Sequence, residues 1–303
     1  MFTDERIVVT GGSGFMGSFL VEELLRRGAV VRVPVFKGDQ GFLKNVAGIE
    51  FLDGDLRDPN FCQKLLDGAD RLFHLASRRK NVAEHRRLAG EIAADNIRMS
   101  LALSASVTQK PIPVTFVSSA TVPEPLSLLS VSEASETDGY ALGKAASEMI
   151  WLTASRQYHF PLLTVRPVGI YGPRDLFSLE GNVIPSLMVK AKESEIIDVW
   201  GSGKAKRSFL YVEDVVRALI VLAEAEASGI QYLASPETVT VKKLAEQIRD
   251  LVAQGKELRF DDSKPEGKLA LEFPLPHPSL NGMAWTPLGE GLKRTLDWYN
   301  AQR

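Results

Sequence analysis

Tyr140 and Lys144 stand four residues apart in Tyr140-Ala141-Leu142-Gly143-Lys144. On a helix that spacing puts both side chains on one face. An ammonium beside a phenol favours the phenolate and lowers its pKa from the ordinary value near ~10. Such a phenol can exchange a proton with an alcohol or carbonyl oxygen near neutral pH. Ser118-Ser119-Ala120-Thr121 supplies the hydroxyls of Ser119 and Thr121 to hold that oxygen. A Tyr-x-x-x-Lys pair occurs often by chance, so its weight comes from the motif upstream of it.

That motif is Thr10-Gly11-Gly12-Ser13-Gly14-Phe15-Met16-Gly17. A β-branched run, Arg6-Ile7-Val8-Val9-Thr10, leads in, and an apolar pattern of helical spacing continues as far as Gly28. Glycines between a strand and a helix are the dinucleotide fingerprint. Gly11 permits the turn, Gly14 lets backbone approach a pyrophosphate, and Gly17 lets the helix pack closely on the strand. The first-turn N–H groups of Phe15, Met16 and Gly17 then face the phosphates with the positive end of the helix dipole.

The elements that must position these residues alternate. Apolar runs at 30–36, 49–52, 71–77, 114–117 and 161–166 read as strands, with helices at 61–66, 83–107 and 140–157 between them. That order predicts an α/β protein with a Rossmann-like, doubly wound parallel sheet. His74, inside an apolar strand, reads as a buried, hydrogen-bonded histidine. Residues 122–137, rich in Ser, Glu and Pro, read as a loop that can cover a site. Beyond Pro167 the pattern changes to short strands and helices, with 229–233 returning as a last sheet strand. The expected division is 1–168, plus about 208–237, as the dinucleotide-binding domain. Residues 169–207 and 238–303 then form a smaller C-terminal α/β substrate domain.

The second strand ends in Val35-Phe36-Lys37 without an acid to bind a ribose 2′-hydroxyl, and Asp39 comes too late. Lys37, with Arg32, can face a 2′-phosphate. This favours NADP, and leaves NAD open.

The 303 residues carry 45% hydrophobic and 24% charged residues and a net charge of −2. No electrostatic pull toward nucleic acid or membranes is expected. The single cysteine, Cys62, excludes a disulfide within the chain and suits a reducing cytoplasm. No apolar run is long enough to span a bilayer, and no signal peptide leads the first strand.

The motifs together resemble the extended short-chain dehydrogenase/reductases of the NAD-dependent epimerase/dehydratase family. The resemblance runs over nearly the whole chain. It rests on Thr10–Gly17, Asp53-Gly54-Asp55-Leu56, His74-Leu75-Ala76, Ser118–Thr121, Tyr140-x-x-x-Lys144, Arg166-Pro167 and Tyr171-Gly172-Pro173. Val199-Trp200-Gly201-Ser202-Gly203 and Arg207-Ser208-Phe209-Leu210-Tyr211-Val212-Glu213-Asp214 are most similar to the GDP-fucose synthases of that family. By that resemblance Ser119, Tyr140 and Lys144 would be catalytic. Asp55 and Leu56 would contact adenine, with Leu75, Ala76, Ser77 and Arg79 near the cofactor. Arg207 would bind a substrate pyrophosphate, with Thr121, Asn182, Lys190 and Trp200 also in the sugar-nucleotide site. Helices 83–107 and 140–157 would pair in a homodimer.

Two departures bear on the reaction. Thr121 and Asn182 stand where GDP-fucose synthases carry a cysteine and a histidine for 3,5-epimerisation. The expected activity is therefore reduction of a sugar-nucleotide 4-ketone without that epimerisation. The alternatives are a nucleotide-sugar 4-epimerase and a cofactor-binding regulator that does not turn over.

Overall fold

The computed structural model describes residues 2–78, 87–122, 138–179, 181–264 and 273–302. In chain order the elements are β1 (Arg6–Thr10), α1 (Phe15–Arg26), β2 (Val30–Val35), β3 (Ile49–Asp53), α2 (Pro59–Leu66), β4 (Arg71–His74), α3 (Ala89–Gln109), β5 (Val114–Val117), α4 (Gly139–Tyr158) and β6 (Leu162–Pro167). Next come β7 (Ile170–Tyr171), α5 (Val183–Glu193), β8 (Ile196–Trp200), β9 (Lys206–Ser208), β10 (Leu210–Tyr211) and α6 (Val212–Glu224). The last are β11 (Gly229–Leu233), β12 (Thr238–Thr240), α7 (Val241–Val252), β13 (Glu257–Asp261) and α8 (Leu288–Ala301).

The chain forms two compact units: Met1–Arg166 with Ala218–Gln231, and Pro167–Arg217 with Tyr232–Arg303. The first unit is built on a seven-stranded sheet of order β11-β6-β5-β4-β1-β2-β3. Registers from β3 across to β6 are parallel. Helices cover such a sheet on both faces, so its strands must be apolar throughout. Ile7, Val8 and Val9 of β1 are accordingly all buried, as is every residue of β5. From β1 the chain steps outward to β2 and β3, then returns to place β4 on the other side of β1. The crevice where the order reverses is where such sheets take ligands.

Local signals set the element ends. Helix α1 stops as expected at Gly28, whose φ of +84° suits a residue without Cβ. Gly28 N and Ala29 N donate back to Leu25 O and Leu24 O, closing the helix with a double bond-back. Asp58 caps α2 through Asn60 N, with Pro59 in the first turn. The long third helix starts later than its sequence pattern suggests, at Ala89 instead of residue 83, and β4 ends at His74, three residues early.

In the second unit β8 pairs in parallel with β13, β9 antiparallel with β12, and β7 in parallel with β10. Its core joins Tyr171, Met188, Val199, Leu244, Ile248, Leu292 and Tyr299. Among the described residues no helix is long and apolar enough to cross a membrane.

Candidate active site

The glycine loop lies at the switch point. Gly11 has φ +71°, and a Cβ there would stand 2.8 Å from Ala76 N. The loop is thus pressed against the segment just after β4. Thr10 ties the two together: its hydroxyl accepts from Ala76 N at 3.2 Å and bonds His74 Nδ1 at 2.7 Å. Gly17 is needed for a different contact than the sequence suggests. A Cβ there would sit 2.0 Å from Gly11 O and 2.8 Å from Gly12 Cα. At Gly17 it is therefore the loop itself that α1 presses against.

Gly14 differs from both. It is exposed, and a Cβ would meet nothing nearer than Gly11 O at 3.4 Å. It stands at the N-cap of α1, which has no side-chain cap. The helix start therefore leaves its first-turn N–H groups, at Phe15, Met16 and Gly17, available to an anion. These features fit a dinucleotide pyrophosphate.

The tip of β2 carries the candidate 2′-phosphate residues. Lys37 takes φ +56° and places its Nζ 5.4 Å from the ring of Phe36. The acids nearby are engaged with backbone: Asp53 accepts from Gly38 N at 3.1 Å, and Asp39 from Gly41 N at 3.0 Å. Arg32 does not face a ligand. Its guanidinium donates to the carbonyls of Leu65 and Asp67 and pairs with Glu50. It lies within β2, whereas Lys37 stands two residues past the end of the strand.

After β3, Asp55 accepts three guanidinium bonds from Arg57, which also reaches Asp95. That neighbour holds the Asp55 carboxyl below the usual carboxylate range. Leu56 is half-buried and packs against the core beneath the sheet. Beyond β4, Leu75, Ala76 and Ser77 are half-buried, and Asn96 clamps the chain at Ser77 and Arg78. Its Oδ1 accepts from Ser77 Oγ and Arg78 N, each at 2.9 Å, while its Nδ2 donates to Arg78 O. Nothing in the sequence marked Asn96 for this work beyond a poor helix former within a helix. Arg79 lies outside the described residues, as does the loop from 123 to 137.

Tyr140 opens α4 in its first turn, where Asp138 caps the helix by accepting from Tyr140 N at 2.8 Å. Glycines flank it. A Cβ at Gly139 would stand 2.1 Å from Ala89 O, and one at Gly143 would stand 3.0 Å from Asn96 Cβ. They bring the start of α4 close against α3. Lys144 is buried beneath. Its Nζ donates to Val117 O at 2.7 Å, lies 4.9 Å from the Phe116 ring, and lies 5.9 Å from the Tyr140 ring. One ammonium therefore joins the tyrosine to the end of β5, from which Ser119 and Thr121 emerge. Ser119 Oγ bonds Thr121 Oγ1 at 2.9 Å and accepts from Thr121 N.

His74 is buried as expected, stacked on Phe116 with ring centroids 5.3 Å apart. Burial, aided by the Lys144 charge, lowers its pKa to about 3. The imidazolium is therefore not formed under ordinary conditions, and His74 does not act as a general acid.

In the second unit, Lys190 Nζ donates to Asp198 O at 2.8 Å and lies 5.9 Å from the ring of Trp200. Burial lowers the Lys190 pKa, against the pull of Asp198. Trp200 is 55% exposed and lines an open cleft with Asp198, Phe260 and Lys264. Arg207 sits on β9 with Nη1 donating to Lys206 O. Asn182, at the N-cap of α5, donates to both oxygens of Asp175 at 3.4 Å.

A parallel sheet with a glycine loop at its switch point, and a buried lysine joining a tyrosine to a serine-bearing strand end, define a Rossmann-type nucleotide-dependent enzyme. A family model described as "NAD dependent epimerase/dehydratase family" matches residues 7–234. The chain belongs to that family. It is 29% identical to a dTDP-4-dehydro-6-deoxy-D-allose reductase of Streptomyces sp, over 98% of this chain and 97% of the relative. It is 33% identical to a probable GDP-L-fucose synthase 1 of Oryza sativa subsp. japonica, over 58% of this chain and 57% of that protein. Among solved structures it resembles UDP-N-acetylglucosamine 4-epimerase from Methanobrevibacter ruminantium M1 in complex with UDP-N-acetylmuramic acid. There the TM-score is 0.85 and the identity 25%, covering 99% of this chain and all of the other.

Proposed function

We propose that the protein reduces the C4 ketone of a 4-keto sugar nucleotide. The observation that carries this reading is Lys144, buried with its ammonium between the Tyr140 ring and the end of β5. The similarity to a 4-dehydro-sugar reductase over nearly the full length of both chains supports the same substrate class. In this reading the first unit holds the cofactor through Gly11, Gly14, Phe15, Met16 and Gly17. The second binds the sugar nucleotide through Lys190, Trp200, Arg207 and Asn182. The bound cofactor supplies the hydride. Ser119 Oγ holds the ketone oxygen, with Thr121 beside it. Tyr140 Oη donates its proton to that oxygen as negative charge develops there, and Lys144 stabilises the phenolate left behind.

The 3,5-epimerisation of GDP-fucose synthases is not part of this reaction. It needs a base and an acid that titrate near the working pH. The Thr121 hydroxyl is too weak an acid, and the Asn182 amide does not titrate. With a 4-keto-6-deoxy sugar nucleotide and NADPH in deuterated water, the product is expected to carry no enzyme-dependent deuterium at C3 or C5. Label at either carbon in the NMR spectrum refutes this.

NADP is the preferred cofactor in this proposal, because Lys37 stands at the β2 tip while Asp39 and Asp53 are engaged with backbone N–H groups. Titration of both cofactors should show tighter NADP binding. Lys37→Glu should reverse the order by roughly tenfold or more, since a charged hydrogen bond contributes about 1.5–3 kcal/mol. Tighter NAD binding in the wild type overturns it.

The likeness to a 4-epimerase favours a second reading, in which a transient C4 ketone is reduced from its other face. Cofactor that stays bound and is regenerated would identify the epimerase, whereas consumption of added NADPH identifies the reductase.

A homodimer is also proposed. Leu101 on α3, and Leu142, Met149 and Leu152 on α4, are large apolar side chains left exposed. Burying such side chains against a second copy would remove apolar surface from water. Light scattering should give twice the chain mass of 33.3 kDa; a monomer at micromolar concentration contradicts it.

A further inference from the structure

Behind the Tyr140–Lys144 pair lies a second buried pair that the reaction above does not use. Glu148 lies one turn of α4 beyond Lys144, so Tyr140, Lys144 and Glu148 run along one stripe of the helix. Arg166, at the end of β6, is completely buried, and Glu148 is 3% exposed. Arg166 Nε and Nη2 donate to Glu148 Oε1 and Oε2 at 2.8 and 2.6 Å. Burial pushes the Glu148 carboxyl up, while Ser118 and Lys144 nearby draw it down. The guanidinium keeps its proton, and its two bonds favour the ionised carboxylate against that burial.

Holding a helix to a sheet does not require such a pair. Apolar side chains of similar volume do that as well or better, because two charges must otherwise leave water. What a buried carboxylate adds is a field in a layer that screens poorly. The described groups on α4 and on the elements around it leave few other sources. On α4 itself Asp138 is occupied at the N-cap. From β4 comes neutral His74. From β5 come the Val117 carbonyl, the Ser118 hydroxyl and the Phe116 ring. From α3 comes Asp95, paired with Arg57 and Arg78. From β6 comes Arg166.

We propose that Glu148, held by Arg166, is a positioning residue that keeps the Lys144 ammonium against Val117 and moderates its field at Tyr140. The inference rests on Tyr140 as the proton donor. Without the carboxylate, the Lys144 ammonium beside the phenol and the Arg166 guanidinium behind it would both lose the Glu148 counter-charge. Tyr140 would then ionise at lower pH and lose the proton it must give.

The test reads Tyr140 directly, without substrate. Carbon-13 at tyrosine Cζ reports phenol ionisation by NMR, and the signal absent from Tyr140→Phe assigns Tyr140. Glu148→Gln should lower its midpoint by about one pKa unit, a tenfold shift in the protonation equilibrium. Glu148→Asp, which keeps the charge, should return it toward the wild type even where thermal stability falls. A folded Glu148→Gln whose Tyr140 midpoint stays within a few tenths of a unit overturns the proposal and leaves a structural ion pair. Should Glu148→Gln fail to fold, Arg166→Met supplies the measurement. The lone buried carboxyl then titrates in an accessible range, and the Tyr140 signal should respond to that step; a signal blind to it overturns the proposal. Because no turnover is needed, an enzyme that fails to reduce any 4-keto sugar nucleotide would challenge the function and not this coupling.

Discussion

Tyr140→Phe should lower kcat by roughly 10²–10⁴-fold, the usual contribution of a positioned acid or base, while dinucleotide affinity changes little. The ring and its packing survive, since the change removes only Oη. The helix cap uses Tyr140 N, which the substitution keeps. The glycine loop that would hold the pyrophosphate belongs to a different part of the unit, at the end of β1. Single-turnover hydride transfer and a separate cofactor titration check the two halves. A variant that retains rates within a few-fold of the wild type removes Tyr140 from the chemistry. Equal loss of rate and of cofactor binding would make it a structural residue.

Gly17→Ala is expected to do the reverse, removing cofactor affinity first. The added methyl would stand 2.0 Å from Gly11 O and 2.7 Å from Gly11 C. Both are backbone atoms, which cannot swing aside as a side chain does. Helix α1 must move off the loop, or the loop must open toward Ala76, against which Gly11 is already pressed. Overpacking of this kind costs about 1–3 kcal/mol of stability. The N–H groups of Phe15 and Met16 would be displaced with the helix, so dinucleotide affinity should fall by about tenfold or more. Gly14→Ala is the control, because its Cβ would meet only Gly11 O at an ordinary 3.4 Å. Its effect should be confined to the ligand. Calorimetric titration with thermal melts separates the cases; a Gly17→Ala protein with wild-type affinity contradicts the packing argument.

The central strands of the sheet were legible in the sequence because β1, β4, β5 and β6 are buried almost throughout and so read as short, mainly apolar runs. Gly11 and Tyr140-x-x-x-Lys144 were legible because they answer to local rules, a turn conformation and a helical spacing. Arg32 was misread because charge near a strand tip does not say which way the side chain goes. Within β2, short of the tip, it is sent to the Leu65 and Asp67 carbonyls. Asn96 could not be assigned at all, since its partners Ser77 and Arg78 lie eighteen or more positions away and meet it only after folding. Short strands such as β7, β12 and β13 escaped for the same reason. Two or three residues carry too little pattern in β7 and β12, Glu257, Arg259 and Asp261 interrupt any apolar run in β13, and partners far along the chain make all three strands.

The place of β11 has a consequence for how the protein is made. It forms one edge of the sheet, next to β6, yet the ribosome delivers it only after β7, α5, β8, β9, β10 and α6. Domains fold as units during synthesis, at about 5–20 residues per second. For several seconds, then, β6 is the outermost strand of an unfinished sheet. Its six residues are all buried in the finished protein, Leu162, Leu163 and Val165 among them, so the nascent edge exposes apolar side chains beside unpaired backbone, the feature that invites pairing with another chain. A nascent chain halted before residue 229 should therefore engage chaperones more strongly than one released after residue 233.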